Sequence, residues 1–141
     1  MSLYWPPDTK LQEWKCALET LSSEIELLQA NGMYQRILMG GDLNFRDLQW
    51  NSDGEMRISN DLGKQQEELF LFCSRFLLSN LVDKPTRGSN LLDVILSNDR
   101  DLLLKCDTIE NFKYSDHKLV KLTLTVDTSG EVKQTSNLEY P

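Results

Sequence analysis

The sequence predicts an α/β domain, because strand-like and helix-like patterns alternate along its 141 residues. In two segments, residues 11–28 and 65–78, apolar side chains recur every three or four positions, as in amphipathic helices. Short apolar runs between and after these segments end at glycine, proline or polar residues, which is typical of strands. A chain of this length has room for one domain with its own core but hardly for two.

The first predicted elements are a short strand and a long helix. The strand covers residues 2–5 and stops at Pro6, since proline cannot donate a ladder hydrogen bond. The helix is expected to begin with a capping box of Thr9 and Gln12 and to end at Asn31-Gly32. Its apolar stripe consists of Leu11, Trp14, Leu18, Leu21, Ile25 and Leu28.

The middle of the chain predicts a strand, a loop and the second helix. Residues 36–39 form a brief apolar run that two glycines halt, which indicates a buried strand. Residues 46–62 are polar and rich in turn residues, so a surface loop is expected. The apolar side of the helix at 65–78 consists of Leu69, Phe72, Cys73, Phe76 and Leu77.

The last third predicts further strands. One is expected to begin at Leu81-Val82, and residues 91–97 are apolar on both faces apart from Asp93, as in a central strand. Segments at 107–112 and 119–126 follow, the second with the alternation of a half-exposed strand. The domain is therefore predicted to span residues 1–126, and the polar residues 127–141 are expected to form a loose tail.

The composition narrows the classes of function. Hydrophobic content of 40% and charged content of 26% are ordinary for a globular protein, and no apolar run has the length of a membrane helix. The three cysteines are widely spaced, which favours reduced thiols and an intracellular location. A net charge of -7 argues against autonomous tight DNA binding, but not against a site where divalent cations bridge carboxylates and phosphate.

Asp42 and Asn44 are the first candidate site residues. They directly follow a predicted buried strand and two glycines, which let the backbone turn sharply at the end of the strand. A carboxylate beside an amide suits holding a water molecule next to a phosphate. For these two residues alone, a structural Asx turn is the favoured interpretation.

Asp93 and His117 are the next candidates. An ionised carboxylate within an apolar strand is unfavourable unless a partner satisfies it, so Asp93 is either a structural acceptor or part of a site. His117 is the single histidine and lies in a polar segment just before a strand. A carboxylate such as Asp93 would hold the imidazole by its second nitrogen and favour the cationic form, which stabilises charge on a phosphate oxygen.

Three motifs occur together and in order: Gly-Asp-Leu-Asn at residues 41–44, Leu-Asp within 91–97, and Ser-Asp-His at 115–117. This set resembles the endonuclease/exonuclease/phosphatase superfamily, which includes DNase I. The details look closer to endonuclease domains of non-LTR retrotransposons, through Tyr-Trp-Pro-Pro at 4–7, Trp50, and Lys-Pro-Thr-Arg at 84–87. The resemblance covers roughly residues 2–126 and implies a partial DNase I-like α/β sandwich, two sheets packed face to face with outer helices.

The resemblance also implies roles for the candidate residues. Asp42 would orient or deprotonate the attacking water, and Asn44 would contact that water and the phosphate. Tyr4 would donate a hydrogen bond to a phosphate oxygen, although aromatic residues are also common on strands for structural reasons.

On the histidine side, the resemblance implies that Asp93 pairs with His117 and that Asp116 lies at the metal-proximal side of the site. Lys84 and Arg87 would touch a nucleic-acid backbone, although solvated surface charge is the favoured interpretation for both. The implied cofactor is Mg²⁺ or Mn²⁺, and the implied partner is DNA in the nucleus.

The chain departs from the family pattern at its beginning. Family members start with a further half-domain that supplies an Asn and a metal-binding Glu, and this sequence starts after that half. The N-terminal half of the fold is therefore expected to be missing, which would leave one sheet with exposed edges and an apolar face.

Three hypotheses about function follow. The first is a Mg²⁺-dependent endonuclease domain of retrotransposon origin that, as encoded, is weakly active or inactive. The alternative is a non-catalytic half-domain that acts as an interaction module or forms a homodimer, or binds the missing half, through its uncovered sheet. A third, a phospholipase-like or inositol-phosphatase-like enzyme, is disfavoured by the Pro-Thr-Arg and Asn-Leu-Leu-Asp context.

Overall fold

Two helices, a short 3-10 helix and six strands make up the part of the chain that the computed structural model describes, residues 1–32, 36–110 and 115–125. The helices are α1 (Leu11–Ala30) and α2 (Lys64–Arg75), and the 3-10 turn is Arg100–Leu102. The strands are β1 (Ser2–Tyr4), β2 (Leu38–Asp42), β3 (Ser79–Asn80), β4 (Asp93–Ser97), β5 (Leu103–Ile109) and β6 (Leu119–Leu124). The predicted mixed α/β class is confirmed.

The strands form two sheets. In the four-stranded sheet the order is β1-β2-β4-β3, with β1 parallel to β2 and the other neighbours antiparallel. β4 therefore lies between two strands, as predicted from its apolar sequence. β5 and β6 pair antiparallel as a separate two-stranded sheet.

One face of the four-stranded sheet is apolar and forms the core. Successive side chains on a strand point to opposite faces, so Met39 on β2 and both Val94 and Leu96 on β4 share the core face. All three are at most 3% exposed. The opposite face carries Asp42 and Asp93, at the end of β2 and the start of β4.

Both helices contribute apolar side chains to this core, but Leu28, at the end of the stripe predicted for α1, is 39% exposed. Trp14 on α1 is 2% exposed and its indole nitrogen donates to the carbonyl oxygen of Gln65, at a distance of 2.8 Å. The same ring lies edge-on to Trp5 and Phe45, with centroids 4.2 and 5.4 Å away. These contacts tie the end of β1 and the segment after β2 to the first turns of both helices.

The start of α1 differs from the prediction. The N-cap is Lys10, whose backbone N–H donates to the Glu13 carboxylate at 3.2 Å. The predicted cap, Thr9, is not the capping residue, because its hydroxyl donates to the carbonyl of Pro6 at 2.8 Å and closes the turn after the prolines. The predicted end is confirmed: Gly32 has a φ of 64° and its N–H donates to Gln29.

The end of α2 also differs. Leu69, Phe72, Cys73 and Phe76 are buried as predicted, but Leu77 is 79% exposed and its predicted place on the apolar side is wrong. α2 ends at Arg75, and Leu77 adopts a φ of 55° that turns its side chain away from the helix face.

The strand predicted at Leu81-Val82 lies two residues earlier, at β3. The reason is the buried side chain of Asn80, whose amide oxygen accepts the N–H groups of Val82 and Ile95 at 3.1 Å each. The amide thus replaces ladder bonds beyond the end of β3, while Leu81 and Val82 remain buried outside a strand.

The predicted loop at 46–62 is irregular, with one isolated bridge between Trp50 and Met56. It is not wholly at the surface, because Leu48 and Met56 are both 8% exposed and join the core. The predicted ends at 112 and 126 and the predicted tail at 127–141 lie outside the described residues. Within the described ranges, neither α1 nor α2 has the length and apolarity that crossing a membrane requires.

Two adjacent glycines in β2 provide a test of the sheet. A Cβ on Gly41 would lie 1.7 Å from the carbonyl oxygen of Leu3, whereas a Cβ on Gly40 would find its nearest neighbours at 3.5 Å. We expect Gly41→Ala to lower the free energy of unfolding by about 1–3 kcal/mol, because β1 must move away. Gly40→Ala is the matched control and should change stability by roughly 0.5 kcal/mol or less. Urea unfolding measures both, and equal losses would contradict the close approach.

Candidate functional site

Tyr4, Asp42 and Asp93 form one row across three neighbouring strands. Tyr4 pairs in register with Asp42 on the parallel strands, and Asp42 pairs with Asp93 on the antiparallel strands. Residues in register on neighbouring strands project from the same face, with backbones about 4.8 Å apart. The register therefore places a phenol and two carboxylates side by side on the face opposite the core.

His117 lies against both carboxylates. Its Nδ1 is 2.8 Å from Oδ2 of Asp93, and its Nε2 is 3.7 Å from Oδ2 of Asp42. The three side chains are 17 to 27% exposed, so the cluster is partly shielded from water but open on one side. The structure thus brings together the Asp93 and His117 pair that the resemblance implied.

Asn44 is fixed between Asp42 and the end of β1. Its backbone N–H donates to Oδ1 of Asp42 at 2.9 Å, and its side-chain amide donates to the carbonyl of Trp5 at 2.7 Å. The first bond is an Asx turn, so the structural interpretation of this motif describes the backbone correctly. Asn44 has a φ of 54°, a conformation that Asn tolerates better than most residues.

Two predicted site residues lie at the edge of this arrangement. Tyr4 belongs to the row but is 69% exposed. Asp116, the predicted metal-proximal residue, is not part of the cluster formed by Asp42, Asp93 and His117 in the described part of the chain. Its carboxylate instead pairs with Arg87, with both Nε and Nη2 of the guanidinium 2.6 Å from Oδ2.

Thr86 holds the segments that carry the histidine pair. It is fully buried, and its hydroxyl oxygen accepts the N–H groups of Leu92 and Asp93 at 3.1 and 3.0 Å. Its carbonyl oxygen accepts the N–H of Lys118 at 2.7 Å. Sequence reasoning gave Thr86 no role beyond its place in the Lys-Pro-Thr-Arg match, since nothing local to a threonine shows which distant N–H groups it binds.

Opposing influences act on the pKa of the Asp42 carboxyl. Burial raises the pKa of the Asp42 carboxyl above its usual value, and the negative charge of Asp93 adds to this effect. The N–H of Asn44 and the positive charges of His117 and Arg87 oppose it but do not cancel it. Removing the charge of Asp42 from water therefore outweighs the groups that stabilise it.

The cluster also has the donors of a cation site. One ligand atom from each of Asp42, Asp93 and His117 lies within 4.8 Å of the others. Mg²⁺ prefers carboxylate oxygens and retains several waters, so two carboxylates fit it without a full protein cage. Nδ1 of His117 is bonded to Oδ2 of Asp93, so a hard cation would contact the other oxygens of the two carboxylates.

Paired carboxylates and an imidazole at the ends of strands in an α/β domain define a site suited to metal-assisted hydrolysis. The chain belongs to the endonuclease-reverse transcriptase family, whose sequence model matches residues 1–121. It is thus an endonuclease-like domain of the endonuclease/exonuclease/phosphatase type found in retrotransposons, which confirms the resemblance drawn from the motifs. The same family suggests use of a divalent metal. No curated protein sequence matches the chain significantly.

Thr86 allows a test of how the site is held. In Thr86→Val the isosteric side chain has no acceptor, so two buried N–H groups lose their partner. We expect the free energy of unfolding to fall by about 2 kcal/mol or more. Thr86→Ser keeps the hydroxyl and is the matched control, with an expected loss below about 1 kcal/mol. Urea unfolding compares them, and a Val variant as stable as the Ser variant would refute the arrangement.

The raised pKa of Asp42 gives a pH-dependent prediction. A folded-state pKa above 3.8 means that stability is lost as pH rises from the unfolded to the folded value. Asp42→Asn mimics the neutral carboxyl and keeps an acceptor for the N–H of Asn44. We expect it to raise the melting temperature by about 1–3 °C at pH 7. The difference should vanish well below pH 3.8, where the carboxyl is protonated in both the folded and the unfolded state. Thermal unfolding at both pH values, without added metal, decides, and a lower melting temperature at pH 7 would reverse the conclusion.

Proposed function

We propose that this chain acts on DNA as a phosphodiester-cleaving endonuclease domain that uses Mg²⁺ or Mn²⁺. The observation that carries the proposal is the juxtaposition of the Asp93 and His117 pair with Asp42, on one row of the sheet. The same row and its flanking turn contain the residues that the family resemblance assigns to water, phosphate and histidine positioning. Action on cellular DNA would take place in the nucleus.

Asp42 is proposed to hold and deprotonate the attacking water. One of its oxygens is bonded to the N–H of Asn44 and the other faces His117, so the orientation of the carboxylate is fixed. The fold favours its protonated form more than water does, which makes it a better proton acceptor than an ordinary aspartate. The side-chain amide of Asn44 donates to the carbonyl of Trp5, and its remaining N–H and its oxygen would contact the water and the phosphate.

His117 is proposed to stabilise the charge that develops on a phosphate oxygen. Asp93 binds Nδ1, which holds the ring in one orientation and leaves Nε2 to donate into the site. Tyr4, exposed in the same row, would donate a further hydrogen bond to the phosphate. A cation held by the oxygens of Asp42 and Asp93 would neutralise phosphate charge and lower the pKa of a bound water.

The proposed fold is a DNase I-like sandwich, in which Asp116 would contribute at the metal side. In the described residues, the cluster that would bind a cation contains two aspartates and no glutamate. One of these aspartates is also engaged by His117. We therefore expect the 141-residue chain by itself to cleave DNA slowly or not at all.

The second candidate function is a non-catalytic interaction module. Leu38 is 39% exposed on the sheet face opposite the core, and β1, which carries the 69% exposed Tyr4, is an edge strand of the described sheet. An apolar edge of this kind favours pairing with a second copy or with another polypeptide segment. Sedimentation at several protein concentrations tests this second function, since a well-folded monomer at every concentration would count against dimerisation.

The catalytic proposal is tested by nicking of supercoiled DNA with Mg²⁺, Mn²⁺ or EDTA. Slow cleavage that requires the cation is expected, and His117→Ala should reduce it by about 100-fold or more. Asp61→Asn changes an exposed aspartate in the loop before α2 and serves as the control that keeps the wild-type rate. Cleavage that persists in EDTA, or that survives His117→Ala, would contradict the proposal. Rapid cleavage abolished by that variant would overturn only the low activity expected of the isolated chain.

A further inference from the structure

The segment that carries His117 is attached to the rest of the site on both sides of the histidine. On one side, the carboxylate of Asp116 is bound by the Arg87 guanidinium, with two nitrogens 2.6 Å from the same oxygen. On the other side, the N–H of Lys118 donates to the Thr86 carbonyl at 2.7 Å. Both attachments thus lead to the same dipeptide, Thr86-Arg87.

That dipeptide lies at the start of a closed turn. The carbonyl of Asn90 accepts the N–H groups of Thr86 and Arg87 at 2.8 and 3.0 Å, and the N–H of Asn90 donates back to Arg87 at 2.9 Å. Gly88 supplies a φ of 56° inside the turn. The Thr86 hydroxyl then binds the N–H of Asp93 at the start of β4. The turn therefore holds the partner of His117 as well as the segment that bears it.

We propose that Arg87 is a positioning residue for the proposed endonuclease reaction, because its ion pair with Asp116 holds the neighbouring His117 against Asp93. This inference rests on the proposed function. In the protein without substrate, the exposed carboxylate of Asp116 is then the ion-pair partner of the Arg87 guanidinium. Arg87 thus has a different role from a direct contact with the DNA backbone.

The exposure of the pair favours a positioning role over a stabilising one. The side chains of Arg87 and Asp116 are 37% and 65% exposed, and ion pairs this accessible contribute little to stability. Placement of His117 is more demanding, because a displacement of about 1 Å at a catalytic group can reduce the rate by about 100-fold.

The test uses the fact that the chain contains a single histidine, so one set of imidazole signals reports on His117. Proton-nitrogen NMR follows the ring and its hydrogen-bonded Nδ1–H in the wild type, Arg87→Gln, Asp116→Asn and the double variant. Arg87→Lys is the conservative replacement. Arg75→Gln is the matched control, since Arg75 forms an exposed ion pair with Glu26 between the two helices. Circular dichroism verifies that each variant is folded.

If the ion pair holds His117 in place, Arg87→Gln and Asp116→Asn should cause the same loss of the Nδ1–H signal and the same changes in the ring's chemical shifts. The double variant should change no further, because both substitutions break one interaction. Arg87→Lys should retain part of the signal, and Arg75→Gln should match the wild type. Where nicking is measurable, the rate should fall by about 10- to 100-fold in both single variants.

An unchanged His117 spectrum in Arg87→Gln would overturn the proposal. So would a result in which Arg87→Gln weakens cleavage while Asp116→Asn does not, since that pattern describes an arginine that contacts substrate directly. The NMR readout does not require activity. If none of the variants cleaves DNA, failure of the proposed endonuclease function is therefore distinguishable from failure of the positioning role.

Discussion

Asp42 and Asp93 face each other directly across two antiparallel strands, and like charges at that register repel each other. The imidazole of His117 lies against both carboxylates, with its closer contact to Asp93. Because His117 follows Asp93 by 24 residues, the chain must return to β4 to deliver it. The turn at residues 86–90, which binds both β4 and the segment around His117, fulfils this requirement.

The two faces of the four-stranded sheet carry different kinds of residue: the hydrophobic core lies on one face and the candidate site on the other. The core face is packed by both helices and contains Met39, Val94 and Leu96, while the opposite face carries the acidic row. Gly41 connects the two, since its missing side chain lets β1 pass close to β2. Directly after β1, the N–H of Trp5 donates to the carbonyl of Asp42, and the carbonyl of Trp5 accepts from the side-chain amide of Asn44. The close approach at Gly41 and these two hydrogen bonds thus hold the end of β1 beside Asp42 and Asn44.

Apolar periodicity predicted both helices and the central position of β4, because burial of one face is encoded in local spacing. Local spacing did not predict where side chains find polar partners. Thr9 was misassigned since its hydroxyl binds a carbonyl before the helix, and β3 was misplaced since Asn80 substitutes for ladder bonds. The candidate site was found from the order of motifs rather than from geometry. The role of Thr86 could not be predicted, because its N–H partners approach only in the folded chain.

The two aspartates of the row are not equivalent, although their register makes them appear so. Asp93 is bonded to the imidazole at 2.8 Å, whereas Asp42 lies 3.7 Å from it and binds the N–H of Asn44 instead. A cation that approached the row would weaken the longer contact first, since attraction between charges in a partly hydrated site falls with distance. In the proposed endonuclease, Asp42 would therefore exchange its contact with His117 for a water or a cation while Asp93 keeps the ring oriented. Under the proposed function, this asymmetry would keep one ring nitrogen of His117 on Asp93 while the other faces a phosphate.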